Sequence, residues 1–300
     1  MRIGLLGTGP WAQAAYAPAL AGHPGVEFAG VWGRRPQAAT SLAEQYDVPA
    51  FDDVDALLAG VDAVAVALPP SVQAELAVRA ARAGRHLLLD KPLAVSVAEG
   101  RAVVAAVERA GVASVVFFTA RFQKEPDAWI EEQAAVAGWF TARAQWLGAV
   151  FTSDSPFAAS PWRREKGALW DVGPHALSVL LPVLGDVLQV VAAGHGPADT
   201  VHLVLDHATG ASSTLTLSLT APPAAAGADV ELRGEAGVTL MPGSSEGAVP
   251  ALSRATDALL TAARTGRPHT CDAAFGLRVT EILATAQAHL TDASDAGPTD

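Results

Sequence analysis

The sequence predicts an α/β protein, with a doubly wound parallel sheet in its first part and an antiparallel sheet with helices in its second part. Three observations predict this class. Short apolar segments alternate with helical patterns through the first third of the 300 residues, and a glycine-rich turn directly follows the first apolar segment. Near residue 120 the pattern changes to segments that alternate apolar and polar residues. We therefore assign residues 1–119 to one domain and residues 120–300 to another.

The apolar segments of the first domain have the length and composition of strands buried on both faces of a parallel sheet. They are Ile3–Leu6, Phe28–Trp32, Ala63–Ala67, His86–Leu89 and Val115–Phe118. Helical patterns separate them at Trp11–Leu20, Pro36–Tyr46, Ser71–Ala83 and Ser96–Ala110. Because strand and helix alternate, these segments predict right-handed βαβ units.

The second domain contains the alternating segment Ser212–Leu219, which is typical of a strand with one buried and one solvated face. Strands are predicted at Trp139–Leu147, Thr200–Leu205, Ser212–Thr220 and Asp229–Arg233. Helices are predicted at Pro174–Leu184, Pro250–Arg264 and Ala273–Leu290. The acidic segment Thr291–Asp300 is expected to fray.

The first strand leads into a turn with the spacing of a dinucleotide-binding loop. Gly7 permits a tight turn, Gly9 lets a pyrophosphate approach the backbone, and Ala12 lets the next helix pack against the strand. Pro10 suits the first helical position, and the free N–H groups of that helix can bind phosphate. The predicted cofactor contacts here are Gly7, Thr8, Gly9, Pro10, Trp11 and Ala12. The alternative is an incidental glycine-rich turn.

The second strand is followed by Gly33, Arg34 and Arg35, without the acidic residue that usually binds the ribose of NAD. Gly33 leaves room, and the two guanidinium groups can bind a 2′-phosphate. This pattern favours NADP(H), while NAD(H) stays possible. The alternative is that both arginines are ordinary solvated loop residues.

The fifth strand ends at Asp90-Lys91-Pro92, which places a lysine at the edge of the sheet where ligands bind. An ammonium group there can donate a hydrogen bond to a substrate hydroxyl or carbonyl and position it for hydride transfer. The alternative is a surface lysine that follows a strand.

A second candidate for chemistry is the pair Asp171 and His175, which lie four residues apart at the predicted start of a helix. A histidine beside a substrate hydroxyl can take its proton or return it, and the carboxylate can orient the ring. The alternative is that Asp171 caps the helix and His175 is a core histidine.

Three further residues are candidate substrate contacts. Trp162 and Arg163 are expected in an irregular loop, where an indole and adjacent donors suit a polyhydroxylated ligand. Arg121 follows the sixth strand. Trp139 and Trp146 are interpreted instead as core or interface residues.

Composition excludes several classes of partner. The net charge of −11 argues against a nucleic-acid-binding protein. The single cysteine, Cys271, gives no disulfide framework and favours the cytoplasm. The histidines show no metal-ligand spacing, so no metal is expected, and no uninterrupted apolar run suggests a membrane span.

In this order, the motifs resemble those of the Gfo/Idh/MocA family, named after glucose-fructose oxidoreductase, inositol dehydrogenase and rhizopine-catabolism proteins. The resemblance covers nearly the whole chain. It rests on Gly7–Ala12, Leu68-Pro69-Pro70-Ser71, Ala83–Pro92, Trp162-Arg163, Gly167–His175 and Thr265–Pro268.

The resemblance implies a Rossmann domain followed by an α/β domain with an open, mostly antiparallel sheet, through which copies assemble as a homodimer or homotetramer. It implies NAD(P)-dependent hydride transfer at an alcohol or carbonyl carbon of a sugar, polyol, cyclitol or related small molecule. Lys91 then contacts substrate and nicotinamide, and His175 is the acid/base with Asp171 assisting. Leu68, Pro69, Pro70 and Asp90 are added to the cofactor contacts.

The chain departs from the family pattern at two positions near the lysine. Asp90 replaces the usual glutamate, and Gln73 stands where many relatives have histidine. Two other functions stay open: a dinucleotide-binding sensor without turnover, and a reductase of C=N or C=C bonds with the same architecture.

Overall fold

The computed structural model describes residues 1–295, with side chains described as far as residue 292. The chain divides into two compact units. Unit 1 comprises Met1–Phe122 and Glu246–Arg278, and unit 2 comprises Gln123–Ser245 and the described residues from Val279 onward. Of the segment expected to fray, residues 296–300 lie outside the described residues, and the part up to Asp295 continues a helix.

Unit 1 is built on a six-stranded parallel sheet, sheet A, which confirms the predicted doubly wound architecture. Its strands are β1 (Arg2–Leu6), β2 (Glu27–Trp32), β3 (Ala50–Phe51), β4 (Ala63–Val66), β5 (His86–Asp90) and β6 (Ser114–Phe117). They lie in the order β3-β2-β1-β4-β5-β6. The order therefore reverses between β1 and β4, where doubly wound sheets bind ligands.

Five helices follow these strands, and four of the helical segments lie where the sequence predicts helix. They are α1 (Ala17–Gly22), α2 (Pro36–Glu44), α3 (Val54–Ala59), α4 (Pro70–Arg82) and α5 (Val97–Ala110). Strand β3 and helix α3 are absent from the prediction, because β3 has only two residues and α3 only six, too few to show a period.

Unit 2 contains a second six-stranded sheet, sheet B, which is mixed and mostly antiparallel, as the fold prediction expects. Its strands are β7 (Trp139–Leu147), β8 (Val187–His195), β9 (Val201–His207), β10 (Ser212–Ser218), β11 (Gly227–Gly234) and β12 (Gly237–Leu240). They lie in the order β12-β11-β7-β10-β9-β8, and only β7 and β10 pair in parallel. Strands β8 and β12 lie at the two edges and were not predicted.

Three helices precede and follow β7 along the chain: α6 (Lys124–Ala134), α7 (Pro161–Asp171) and α8 (Gly173–Leu184). The expectation of an irregular loop at Trp162 and Arg163 is wrong, because Pro161 occupies the first position of α7 and both residues lie in its first turn. Gly167, with φ 65°, interrupts this helix.

One helical stretch within the described residues, Pro161–Leu184, is long and apolar enough to cross a membrane by length and composition. Its most apolar window is 83% buried inside the fold, which is typical of a core helix. The sequence analysis found no uninterrupted apolar run here, because charged residues interrupt the stretch near its start.

The C-terminal helices α9 (Ala248–Thr265) and α10 (Ala273–Asp295) divide between the units differently from the predicted boundaries. The first segment ends at Phe122, close to the predicted boundary at residues 119 and 120, but Glu246–Arg278 also belongs to unit 1. The physical reason is packing, since α9 lies against α1, β5 and β6. Its contact residues Leu252 and Leu259 are fully buried there.

Candidate functional site

Parallel strands place the predicted cofactor segments at one edge of sheet A. Gly7 follows β1, Gly33 follows β2, Leu68 follows β4 and Lys91 follows β5. Because these strands are parallel, their carboxyl ends share one edge, where such sheets bind ligands. Arg121 follows β6 at the same edge. The other predicted substrate residues, Trp162, Arg163, Asp171 and His175, belong to unit 2.

The glycine-rich loop has the backbone that its sequence predicts. Gly7 has φ 135°, and a Cβ atom there would lie 2.3 Å from the carbonyl oxygen of Ala67, so only glycine fits. The N–H of Gly7 donates to the carbonyl oxygen of Trp32 at 2.8 Å, which ties the loop to the end of β2. At Gly9 a Cβ atom would meet nothing within 4 Å. The space beside Gly9 therefore fits a pyrophosphate that approaches the backbone.

The helix that leaves this loop begins at Pro10 and contains a π-helical turn over Ala12–Tyr16 before α1. Ala12 is fully buried, and the side-chain amide of Gln13 donates to the carbonyl oxygen of Thr8 at 3.0 Å. Such turns inside helices often occur at functional sites. Here the π-helical turn directs the fully buried Tyr16 ring edge-on against Phe117, with centroids 6.3 Å apart.

The phenol of Tyr16 is held in its protonated form. Burial, and after it the negative charge of Asp90, raise the pKa of Tyr16 well above its ordinary value. Tyr16 thus lies at the carboxyl ends of β5 and β6, near Asp90 and Phe117, although the sequence analysis did not select it. The sequence feature that could have drawn attention to Tyr16 is a large aromatic residue among alanines in the helix after the glycine-rich loop.

Gly33 packs closely against the glycine-rich loop. A Cβ atom at Gly33 would lie 2.6 Å from Cγ2 and 3.0 Å from Oγ1 of Thr8. The absence of a side chain therefore makes room for Thr8 of the glycine-rich loop. The side chains of Arg34 and Arg35 are exposed, and within the described residues neither forms an ion pair. Both guanidinium groups are available to an anionic ligand.

Lys91 is half-buried at the start of a turn whose backbone is fixed by side chains. Its N–H donates to Oδ1 of Asp90 at 3.0 Å, and the Lys91–Pro92 peptide bond is cis. The buried amide of Gln73 bonds to the backbone on both sides of Lys91. Gln73 also joins this turn to the Leu68–Pro70 segment, because its N–H donates to the carbonyl oxygen of Pro69 at 2.9 Å.

Arg121 lies in a 3-10 turn, Thr119–Phe122, and donates to Oγ1 of Thr270 at 3.3 Å. The ring of His269 stacks on Phe122 with centroids 5.4 Å apart. Burial, and next the positive charge of Arg121, lower the pKa of His269. The structure thus places Arg121 at the edge of sheet A within unit 1.

Asp171 forms an ion pair in unit 2. Its Oδ2 accepts a hydrogen bond from Nε of Arg163 at 2.7 Å, and the two side chains are 6% and 18% exposed. The N-cap of α8 is Val172, without a side-chain cap, so the structure does not support a capping role for Asp171. The guanidinium group of Arg163 also lies over the ring of Trp162 at 4.8 Å.

His175 stacks on Trp146 of β7, a residue that the sequence analysis interpreted as core or interface. The ring centroids are 5.2 Å apart and the planes differ by 9°. Trp139, at the other end of the same strand, is the core residue that was predicted, with its indole N–H bonded to the carbonyl oxygen of Gln133. The sequence did not distinguish the two tryptophans, because the periodicity of a strand does not show which residue of a helix packs against it.

A cavity of about 300 Å³ in unit 1 is lined by the starts of β5 and β6 and by the ends of α5 and α9. Doubly wound sheets bind ligands beyond the carboxyl ends of their strands, so we do not assign this cavity at the amino ends to the cofactor. Among the described residues, no group of three His, Cys, Asp or Glu side chains could hold a metal ion.

Two segments of the chain match domains of the Gfo/Idh/MocA family. Residues 1–118 match the oxidoreductase family with an NAD-binding Rossmann fold. Residues 143–239 match the C-terminal domain of the Gfo/Idh/MocA proteins. The two matches correspond to sheet A with its helices and to the larger part of sheet B.

Two curated relatives are 30% identical to the chain over the residues that align. One is dTDP-3,4-didehydro-2,6-dideoxy-alpha-D-glucose 3-reductase of Streptomyces violaceoruber, 30% identical over 64% of this chain and 57% of that protein. Another is D-xylose 1-dehydrogenase (NADP(+)) 2 of Haloferax volcanii, 30% identical over 74% of this chain and 70% of that protein.

A solved structure extends the similarity over the full fold. UDP-N-acetylglucosamine 3-dehydrogenase from Acidithiobacillus ferrooxidans is 21% identical, with a TM-score of 0.83 over 97% of this chain and 98% of that chain. At this identity the match supports the architecture of both units. Together with the two domain matches and the D-xylose dehydrogenase relative, it leads to one assignment. The chain belongs to the Gfo/Idh/MocA family of oxidoreductases with an NAD-binding Rossmann fold.

Proposed function

We propose that this protein is an NAD(P)-dependent oxidoreductase that favours NADP(H) and acts on an alcohol or carbonyl carbon of a sugar, polyol, cyclitol or related metabolite. One observation carries the proposal: Lys91 directly follows β5 at the same edge of sheet A that holds the glycine-rich loop and Arg34. The names of the Streptomyces reductase and the Haloferax dehydrogenase support a sugar as substrate.

The preference for NADP(H) rests on charge at the end of β2. No carboxylate follows this strand where an acidic residue usually binds the ribose of NAD, and the exposed Arg34 and Arg35 come instead, directly after Gly33. Each hydrogen bond from a guanidinium group to a charged phosphate contributes roughly 1.5–3 kcal/mol. Gly7, Thr8, Gly9, Pro10, Trp11 and Ala12 would hold the pyrophosphate, and Leu68, Pro69, Pro70 and Asp90 would line the rest of the dinucleotide site.

The bound dinucleotide supplies or accepts the hydride. The Lys91 ammonium group donates a hydrogen bond to the substrate oxygen, which stabilises negative charge on that oxygen and positions the carbon. The imidazole of His175 takes the hydroxyl proton during oxidation and returns it during reduction. Oxidation thus removes a hydride from the alcohol carbon and a proton from its oxygen, and the C=O double bond forms.

The neighbours of His175 in unit 2 support these roles. Trp146 fixes the plane of the imidazole by stacking on it. The ion pair of Asp171 with Arg163 holds the end of α7, two residues before α8 begins. Trp162, beneath the guanidinium group of Arg163, offers an apolar ring for a sugar.

The function is tested with a panel of sugars, polyols and cyclitols, each incubated with NADP+ or NAD+ while nicotinamide absorbance is followed. We expect NADPH formation with at least one member and little NADH formation. His175→Ala should slow the reaction by about 10²-fold or more, as expected for loss of an acid/base group. NADPH binding without turnover across the panel would favour a sensor, and an unimpaired His175→Ala variant would favour reduction of C=N or C=C bonds.

We also propose that two copies pair through the open face of sheet B. Large apolar side chains are exposed on its strands, among them Phe140 on β7 (75% exposed) and Leu188 on β8 (72% exposed). The five large apolar side chains recorded as exposed in the described residues, which include Val191, Val238 and Leu240, all lie on strands of this sheet, and apolar surface that is contiguous marks an interface. Light scattering should report a dimer or tetramer that Phe140→Asp with Leu188→Asp converts to monomers, and a monomeric native protein would overturn the proposal. The single buried Cys271 fits a cytoplasmic location.

A further inference from the structure

Gln73 is a buried glutamine whose side chain forms hydrogen bonds with the backbone around Lys91. It lies in the first turn of α4 and is 1% exposed. Its Nε2 donates toward the carbonyl oxygens of Asp90 at 2.7 Å, Pro92 at 3.1 Å and Leu93 at 3.3 Å. Its Oε1 accepts from the N–H of Asp90 at 2.8 Å. One side chain thus bonds to the backbone before and after Lys91.

The amide is suited to this task by its number of donors and acceptors. Its two N–H hydrogens serve the carbonyl oxygens, and its oxygen serves an N–H at the end of β5. Buried backbone groups need such partners, because an unsatisfied one is costly. A carboxylate in this place would offer no donor, and an asparagine amide would be one methylene too short to reach.

We propose that Gln73 is the positioning residue for Lys91. It fixes the backbone on both sides of the lysine, so the ammonium group projects from a rigid turn at the cofactor edge. The role of Lys91 in this inference rests on the proposed function, whereas the effect of Gln73 on Lys91 can be measured without any turnover.

The lysine composition of the chain provides a direct test. The chain has three lysines, Lys91, Lys124 and Lys166, and Lys91 lies in the turn that Gln73 bonds on both sides. Trace acetylation of the folded protein with acetic anhydride, followed by mass spectrometry, reports the reactivity of each amine. The other two lysines serve as internal controls for general loosening of the fold.

In Gln73→Leu we expect the acetylation rate of Lys91 to change by at least about 3-fold while those of Lys124 and Lys166 stay within about 1.5-fold, since only the turn loses hydrogen bonds. The amide of Asp90 should exchange hydrogen about 2- to 12-fold faster, because it loses one hydrogen bond. Gln73→His, which keeps a donor and an acceptor, should recover most of the native Lys91 reactivity. Gln133→Leu removes a buried glutamine from α6 and should leave Lys91 unchanged.

Equal changes at all three lysines, or native reactivity of Lys91 in Gln73→Leu, would overturn the proposal. If the leucine variant does not fold, Gln73→Asn keeps the amide and shortens its reach, and native Lys91 reactivity in that variant would overturn the proposal equally. A failed sugar panel with a positive labelling result would count against the proposed function and leave the positioning role of Gln73 standing.

Discussion

Gly33→Ala distinguishes between two roles for the glycine that follows β2: making room for Thr8, or making room for a 2′-phosphate. In the structure, the added methyl group would lie 2.6 Å from Cγ2 of Thr8 and 3.4 Å from its Cβ. Thr8 is 6% exposed and is fixed inside the glycine-rich loop, so it has little room to move. Gly33 is not among the glycines with positive φ, and alanine therefore meets no backbone strain. Crowding of Thr8 is the only expected effect.

The magnitude follows from the cost of overpacking, which is about 1–3 kcal/mol for an extra methyl group in a packed site. If this energy falls on the loop that binds the pyrophosphate, dissociation constants rise by about 5- to 160-fold. Because the pyrophosphate is common to both dinucleotides, NADPH and NADH should be weakened by the same factor. Thr8→Ser removes the Cγ2 atom and should restore most of the affinity in the double variant.

Fluorescence titration of NADPH and NADH measures these constants without a substrate. The four proteins needed are the native chain, Gly33→Ala, Thr8→Ser and the double variant. A loss confined to NADPH, unrelieved by Thr8→Ser, would refute the reasoning and favour the view that Gly33 makes room for a 2′-phosphate.

Three further outcomes are expected. Arg34→Ala should lower the preference for NADPH over NADH by about 10- to 150-fold, with Arg82→Ala as an exposed control, and an unchanged ratio of dissociation constants would contradict the charge argument. Asp171→Ala should cost about 3–5 kcal/mol in urea unfolding, because Arg163, whose side chain is only 18% exposed, loses its ion-pair partner. Glu27→Ala, which breaks the exposed pair with Arg2, should cost at most about 1 kcal/mol, and equal costs would refute this. Burial lowers the pKa of His207, whose ring bonds Gly185 and Ser213, so the unfolded chain binds the proton more readily and stability falls as pH drops below about 6.5 toward the lowered pKa. Melting curves should show a flatter dependence in His207→Gln than in His195→Gln, and parallel curves would be contrary to this.

Much of unit 1 could be predicted because its signals are local. Runs of buried residues such as Leu87–Leu89 indicate strands. Gly7 is recognisable because the tight turn of a dinucleotide-binding loop requires glycine there. The return of α9 to unit 1 could not be read from the sequence, since helix periodicity shows an apolar face but not the surface against which it packs. The edge strands β8 and β12 carry exposed residues such as Leu188, which hides their alternation.

The candidate site was predicted as a set of residues and not as a set of contacts. Asp171 and His175 were paired in the sequence by their spacing, and the structure gives each of them a partner from elsewhere, Arg163 and Trp146. Gln73 was noted only as a departure from the family pattern, because hydrogen bonds from a side chain to distant backbone leave no periodic signal. Such contacts depend on the tertiary fold.

Stopped-flow nicotinamide absorbance with Lys91→Met tests the central claim most directly. The variant keeps the apolar stem and removes the ammonium group, and Lys124→Met on α6 is the matched control. With the panel compound that the native protein turns over fastest, we predict hydride transfer at least about 100-fold slower in Lys91→Met, with the dissociation constant for NADPH within about 3-fold of native. Hydride transfer at the native rate in Lys91→Met would contradict the account.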